Sequence, residues 1–131
     1  MALAPGRPLL LLVEDHADTR QMYAEFLSTS FDVLEAADGH QALDAMRRQV
    51  PAVVITDYSL PGIDGFELIK QMRVNESTRK VPTICLSGHS GDRHEQRAKE
   101  VGCDRVLVKP CMPDMLFKTA QEIIRTGRPS L

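Results

Sequence analysis

The chain has 131 residues, 43% apolar and 26% charged, which suits one soluble domain with a real core. Its formal net charge of −2 gives no basic field for nucleic acid and none for an anionic membrane. Cys85, Cys103 and Cys111 form no CxxC pair and are odd in number, which points to reduced thiols in a cytoplasmic protein rather than a disulfide framework.

Residues 1–7 carry Pro5 and Gly6 and read as a flexible lead-in. Leu9 to Val13 reads as a strand buried on both faces; Glu14 and Asp15 close it, and it is too short to span a membrane. Asp18 to Thr29 reads as a helix whose apolar stripe is Met22 with Phe26 and Tyr23 with Leu27. Phe31 to Ala36 is a weaker strand. Asp38, with Gln41 three residues on, caps the next helix, whose inner face is Ala42, Leu43 and Met46. Val53 to Asp57 is a third strand, β-branched through Ile55 and ending in an acid. Pro61-Gly62 and Asp64-Gly65 make the following loop, and Asp64 with Glu67 starts a third helix on Leu68, Ile69 and Met72.

Pro82 opens a fourth strand, Thr83 to Ser87. Gly88 to Gly91 is a turn. Asp92 with Glu95 starts a fourth helix, which has only Ala98 and Val101 as apolar anchors before Gly102 stops it. Arg105 to Lys109 is a fifth strand, broken by Pro110. Pro113 suits the first turn of a last helix lined by Met112, Leu116, Ala120 and Ile123. Residues 128–131 read as a flexible tail, which leaves one domain over 8–127. Five strand–helix units in alternation imply a doubly wound (βα)5 α/β sandwich with a parallel sheet, of which 2-1-3-4-5 is the favoured strand order.

Parallel strands carry their C-terminal ends to one sheet edge. That edge collects Glu14 and Asp15, Asp57, Ser87 and Lys109. In the order 2-1-3-4-5 two acids face a third across one strand spacing, roughly 5 Å. Two carboxylates about 4 Å apart repel by roughly 4 kcal/mol at an effective dielectric near 20, so the group calls for a cation. The donors are hard oxygens without sulfur or a suitably placed imidazole, which selects Mg²⁺. A lysine ammonium pairs with phosphate, a serine hydroxyl hydrogen-bonds it, and an aspartate beside Mg²⁺ can form an acyl phosphate. The four histidines have no zinc-ligand spacing and read as surface residues, with His89 bordering the site.

These residues resemble the receiver domain of two-component response regulators, the CheY-like branch of the flavodoxin-like fold, over about Pro8 to Thr126. The matching motifs are Glu14-Asp15, Asp57-x-x-x-Pro61-x-x-Asp64-Gly65, Ser87-Gly88 and Lys109-Pro110. The resemblance implies that Asp57 takes a phosphoryl group from the phosphohistidine of a sensor histidine kinase or phosphotransfer protein. It further implies Mg²⁺ on Asp15 and Asp57, on Glu14 through water, and on the Ser59 backbone carbonyl. Ser87 would hydrogen-bond the phosphoryl group, Lys109 would pair with one of its oxygens, and the Lys109-Pro110 peptide would be cis. Signalling would leave through the fourth helix, fifth strand and fifth helix to a downstream protein, with no direct nucleic-acid binding, no membrane, and a monomer or weak homodimer. Such a module is not an enzyme beyond assisting its own phosphotransfer and dephosphorylation.

Val106 departs from the pattern, since the family commonly has an aromatic ring there that turns inward with the serine or threonine. Cys111 stands for a common Phe and Gly88 for a common Ala. The alternative reading is therefore a phosphorylation-independent interaction domain on the same fold. A flavin binder would want a Ser/Thr/Gly-rich loop after the first strand, where Glu14-Asp15 would repel phosphate. A haloacid-dehalogenase-type phosphatase would want a second acid where Ser59 stands. The chain ends at the fifth helix; Met1 and the short tail favour a stand-alone receiver over one cut from a larger protein.

Overall fold

A computed structural model of the chain describes residues 6–128. The elements alternate as β1 (Leu9–Val13), α1 (Ala17–Leu27), β2 (Asp32–Ala36), α2 (Gly39–Arg48), β3 (Val53–Asp57), α3 (Gly65–Val74), β4 (Thr83–Ser87), α4 (Asp92–Val101), β5 (Arg105–Val108) and α5 (Pro113–Thr126). All strand pairs are parallel, and the sheet order is β2-β1-β3-β4-β5. The doubly wound sandwich expected from the strand–helix alternation is the observed fold.

Strand periodicity divides the core. Leu10, Leu12, Val53, Ile55, Ile84 and Leu86 pack on one face with Tyr23 and Leu27 of α1 and with Leu116, Ala120 and Ile123 of α5. Leu11, Val13 and Val54 point the other way, onto Ala42 and Met46 of α2 and Leu68 and Met72 of α3. Cys85 shares that second face with Phe66, Ile69 and Ala98, under α3 and α4. Burial on both faces explains why β1, β3 and β4 are almost unbroken apolar runs. The caps fall where the sequence placed them. Asp38 Oδ1 accepts from Gln41 N, and Asp64 Oδ1 accepts from Glu67 N, both at 2.8 Å.

Several boundaries and faces differ from expectation. α1 stops at Leu27, because the Ser28 and Thr29 hydroxyls turn back onto the carbonyls of Ala24 and Phe26. Of its two overlapping apolar pairs only Tyr23 and Leu27 are buried; Met22 and Phe26 stand exposed, Phe26 edge-on to Phe117. Phe31 is core but precedes β2. β5 ends at Val108, so Lys109 lies just past it, although its N–H still bonds the Ser87 carbonyl. The Lys109-Pro110 peptide is cis, as expected. Met112 does not line the inside of α5: it is the extended N-cap residue and is 67% exposed.

Of the two end segments, residues 1–5 and 129–131 lie outside the described residues. Arg7 pairs with Asp32 and bonds the carbonyls of Ser28 and Phe31. Arg128 joins a hub built on Arg73 and Asp104. Arg73 reaches the carbonyls of Val81 and Gly102 and pairs with Asp104, whose other oxygen takes Arg128. Burial first, then the Arg128 charge, draws the Arg73 guanidinium down to about 10. The hub ties the end of α3, the start of β4 and the α4–β5 turn together on the edge opposite the acids. Among the described residues no helix is long and apolar enough to cross a membrane.

Candidate functional site

The site forms at the C-terminal edge because β1, β3 and β4 end there in register. Val13 lies beside Thr56 and Asp57 beside Leu86, so Glu14 and Asp57 follow one another across the β1–β3 step. Asp57 is only 3% exposed, and Glu14 is buried as deeply. The loop after β3 folds back tightly: Gly65 N donates to Tyr58 O at 2.8 Å. A side chain at Gly65 would meet the Asp57 carbonyl oxygen at 2.5 Å, so close packing against the acid's own backbone requires glycine.

Lys109 Nζ lies 2.7 Å from Asp57 Oδ1. Beyond this charge contact no hydrogen bond reaches that buried oxygen among the described residues. Burial would lower the Lys109 pKa, but the contact and charge of Asp57, with Glu14 behind it, outweigh burial and raise it. Glu14 is also pushed up from the ordinary carboxylate range, by burial first and then by the charge of Asp57, against the pull of the His16 backbone N–H. One lysine thus faces more than one buried carboxylate, and the group retains unbalanced negative charge.

Glu14, Asp15 and His16 present donor atoms within 4.8 Å of one another. Asp15 Oδ1 is buried without a hydrogen-bond donor, like Asp57 Oδ1. Two carboxylate oxygens without a hydrogen bond, on an edge where one lysine faces several acids, fit a hard divalent cation. His16 corrects the expectation that no imidazole is near, since its Nδ1 lies 3.3 Å from Glu14 and 3.4 Å from Asp15. The ring is 76% exposed and sits on the solvent side of the pair. Ser59 is exposed in the loop two residues past Asp57.

Ser87 is fully buried at the end of β4. Its Oγ accepts from His89 N at 3.0 Å and shares a hydrogen bond with His94 Nε2 at 2.9 Å. His94 is therefore no plain surface residue: its ring packs with Phe66, Tyr58 and His89 at centroid distances of 4.8, 4.9 and 5.6 Å. Burial, then the charges of His89 and Arg97, hold its pKa below the ordinary value. The sequence held a trace of this. His94, Ala98 and Val101 follow at i, i+4 and i+7, so His94 belongs to the inner stripe of α4. His40 is exposed, as expected. All three cysteines are free, and burial pushes the Cys103 thiol up to about 11, which keeps it protonated at neutral pH.

Residues 10–121 match the family described as the response regulator receiver domain. Among curated proteins, response regulator Rre1 of Synechocystis is 35% identical over 119 residues, which is 88% of this chain and 51% of Rre1. The phosphate regulon transcriptional regulatory protein PhoB of Escherichia coli is 29% identical over 121 residues, covering 92% of this chain and 53% of PhoB. The chain thus spans about half the length of these relatives. Among solved structures, the chemotaxis response regulator CheY4 of Vibrio cholerae superposes with a TM-score of 0.83 at 31% identity, covering 89% of this chain and 98% of CheY4.

Proposed function

This chain belongs to the response regulator receiver domain family, and from that premise we propose that Asp57 is its phosphoacceptor. The observation that carries the reading is the Lys109 Nζ–Asp57 Oδ1 contact at 2.7 Å, on a sheet edge that also buries Glu14. Receiver domains are signalling modules rather than classical enzymes, and the chemistry here is one transfer. A carboxylate oxygen of Asp57 attacks the phosphorus of a phosphohistidine. The new O–P bond forms as the N–P bond breaks, and its electron pair stays on the histidine nitrogen. The product is a mixed anhydride, an aspartyl phosphate.

The acids fit Mg²⁺: Asp15, Asp57 and the Ser59 carbonyl would hold it, with Glu14 supporting the site. When bound, the ion supplies the positive charge that lets phosphoryl oxygens approach a carboxylate cluster. Lys109 holds Asp57 and then pairs with a phosphoryl oxygen as the charge moves outward. The Ser87 hydroxyl hydrogen-bonds the same group. The donor is a sensor histidine kinase or a phosphotransfer protein in the cytoplasm. The receiver unit is 8–127, and its modified state is read by a protein partner on the α4–β5–α5 face, where Val108, Met112 and Met115 stand exposed. Phosphoramidate with Mg²⁺ should add one phosphoryl group by intact mass, and chelation of Mg²⁺ or Asp57→Asn should abolish it. No adduct on the unmutated chain would overturn the proposal.

A further inference from the structure

Both bonds of the Ser87 hydroxyl lead away from Asp57, toward the β4–α4 turn and α4. A serine hydroxyl has one proton and two lone pairs, and the His89 N–H, a donor, occupies one lone pair. The single proton can serve His94 Nε2 or an oxygen at Asp57, but not both. The neutral imidazole offers one lone-pair nitrogen, which is Nε2 in the tautomer protonated at Nδ1, the one that can accept the Ser87 proton, and the lowered pKa of His94 favours the neutral ring.

His94 is also well placed to pass a change on. Its ring touches Tyr58, the residue after Asp57, and the buried Phe66 of α3, over which the Arg97 guanidinium lies at 5.8 Å. α4 has a single fully buried apolar residue, Ala98. Its first turn is capped by Gly91, without a side-chain hydrogen bond. The Ser87–His94 bond, with the packing of the His94 ring on Tyr58 and Phe66, therefore helps to fix that turn. Val106 packs in the same cluster, but an aliphatic side chain has no group to share with a hydroxyl.

We infer that His94 is a positioning residue that links Ser87 to α4: its Nε2 holds the Ser87 proton in the unmodified protein, and a phosphoryl group on Asp57 takes that proton and frees the ring together with the first turn of the helix. The inference rests on the reading of Asp57 as phosphoacceptor. Ring and phosphoryl group compete for one hydroxyl, so the coupling is reciprocal. Removing the ring nitrogen raises affinity for a phosphoryl mimic by the worth of one net hydrogen bond, about 2- to 10-fold.

The test titrates beryllofluoride with Mg²⁺ into ¹⁵N-labelled wild type, His94→Phe, His94→Gln and Ser87→Ala, each checked for a dispersed amide spectrum. In wild type, amides of residues 57–60, amides of α4 and the His94 ring nitrogens should all shift. In Ser87→Ala the ring nitrogens should stay put while residues 57–60 respond. His94→Phe, which keeps a ring and loses the bond, should bind the mimic about 2- to 10-fold more tightly and lose the α4 shifts. His94→Gln, whose amide oxygen accepts a proton, should restore both toward wild type. Unchanged or weaker binding by His94→Phe, or α4 shifts like those of wild type, would overturn the link and leave the phosphoacceptor reading standing. Silence of residues 57–60 in every protein would overturn that reading, and the link with it.

Discussion

Glu14→Gln should make the metal-free protein more stable, because the acidic edge holds more negative charge than Lys109 balances. Glu14 and Asp57 sit one strand spacing apart, and two charges roughly 5 Å apart at an effective dielectric near 20 repel by about 3 kcal/mol. Glutamine keeps an acceptor for the His16 N–H, which now lies 3.0 Å from Glu14 Oε2. It forfeits the charge on that bond and the attraction of Lys109, which leaves a net gain of about 1–2 kcal/mol. For a chain of this length the gain raises Tm by about 5 °C. The pKa of Glu14 is raised in the folded state, so the native chain binds the extra proton between the unfolded value of 4.5 and the folded value. Stability of the wild type therefore falls as pH rises through that window. The advantage of the variant should be full above the folded pKa of Glu14 and vanish as pH drops toward 4.5. A cation at ten times its Kd stabilises the wild type by about 1.4 kcal/mol, so saturating Mg²⁺ should close most of the gap. Thermal melts in chelator and in Mg²⁺, from pH 4 to pH 8, read all of this. A variant less stable than wild type in chelator at pH 7.5 would refute the electrostatic reasoning.

Lys109→Met should slow phosphoramidate labelling of Asp57 by about 100-fold, as expected for loss of a preorganised charge at the reacting group, and a rate within a factor of two of wild type would exclude that role. Gly65→Ala should lose about 2 kcal/mol in urea unfolding, since its methyl group would press on the Asp57 carbonyl oxygen; a neutral effect would mean the loop relaxes freely. Arg73→Met should cost at least about 2 kcal/mol by leaving the buried Val81 carbonyl without its donor and Asp104 one partner short, with Arg128 still reaching Asp104 and the Gly102 carbonyl. Urea melts of Arg73→Met and of the Arg73→Met, Arg128→Met double variant should show a further loss in the second.

The sheet was legible because its three inner strands are buried on both faces and are mostly apolar, with polar residues confined to their ends, and because Asp38 and Asp64 mark helix starts chemically. The faces of α1 were not. Two overlapping i,i+4 pairs, Met22 with Phe26 and Tyr23 with Leu27, are equivalent in sequence, and only packing onto the sheet selects the second. Met112 was misplaced because extending the α5 stripe backwards from Leu116 runs past the first helical turn. At the site, the strand ends supplied Asp57, Glu14, Asp15, Ser87 and Lys109, since parallel topology alone gathers them. Of the four histidines, read as surface residues, only His94 departs, while His16, His40 and His89 are exposed. The contacts of His94 with Ser87, and of His16 with Glu14 and Asp15, run across a turn or between close neighbours in sequence, which spacing rules for metal ligands do not detect. The Arg73–Asp104 hub left no trace either, because a buried arginine looks like a solvated one until its acceptors are known.

The central claim is that Asp57, and not another acid of this edge, carries the phosphoryl group. Phosphoramidate and Mg²⁺, followed by borohydride reduction and peptide mass spectrometry, should convert residue 57 alone to homoserine. Asp57→Asn should give no reduced acid at positions 14, 15 or 64. Homoserine absent from position 57 in the wild type, or equal reduction of another acid in Asp57→Asn, would contradict the account.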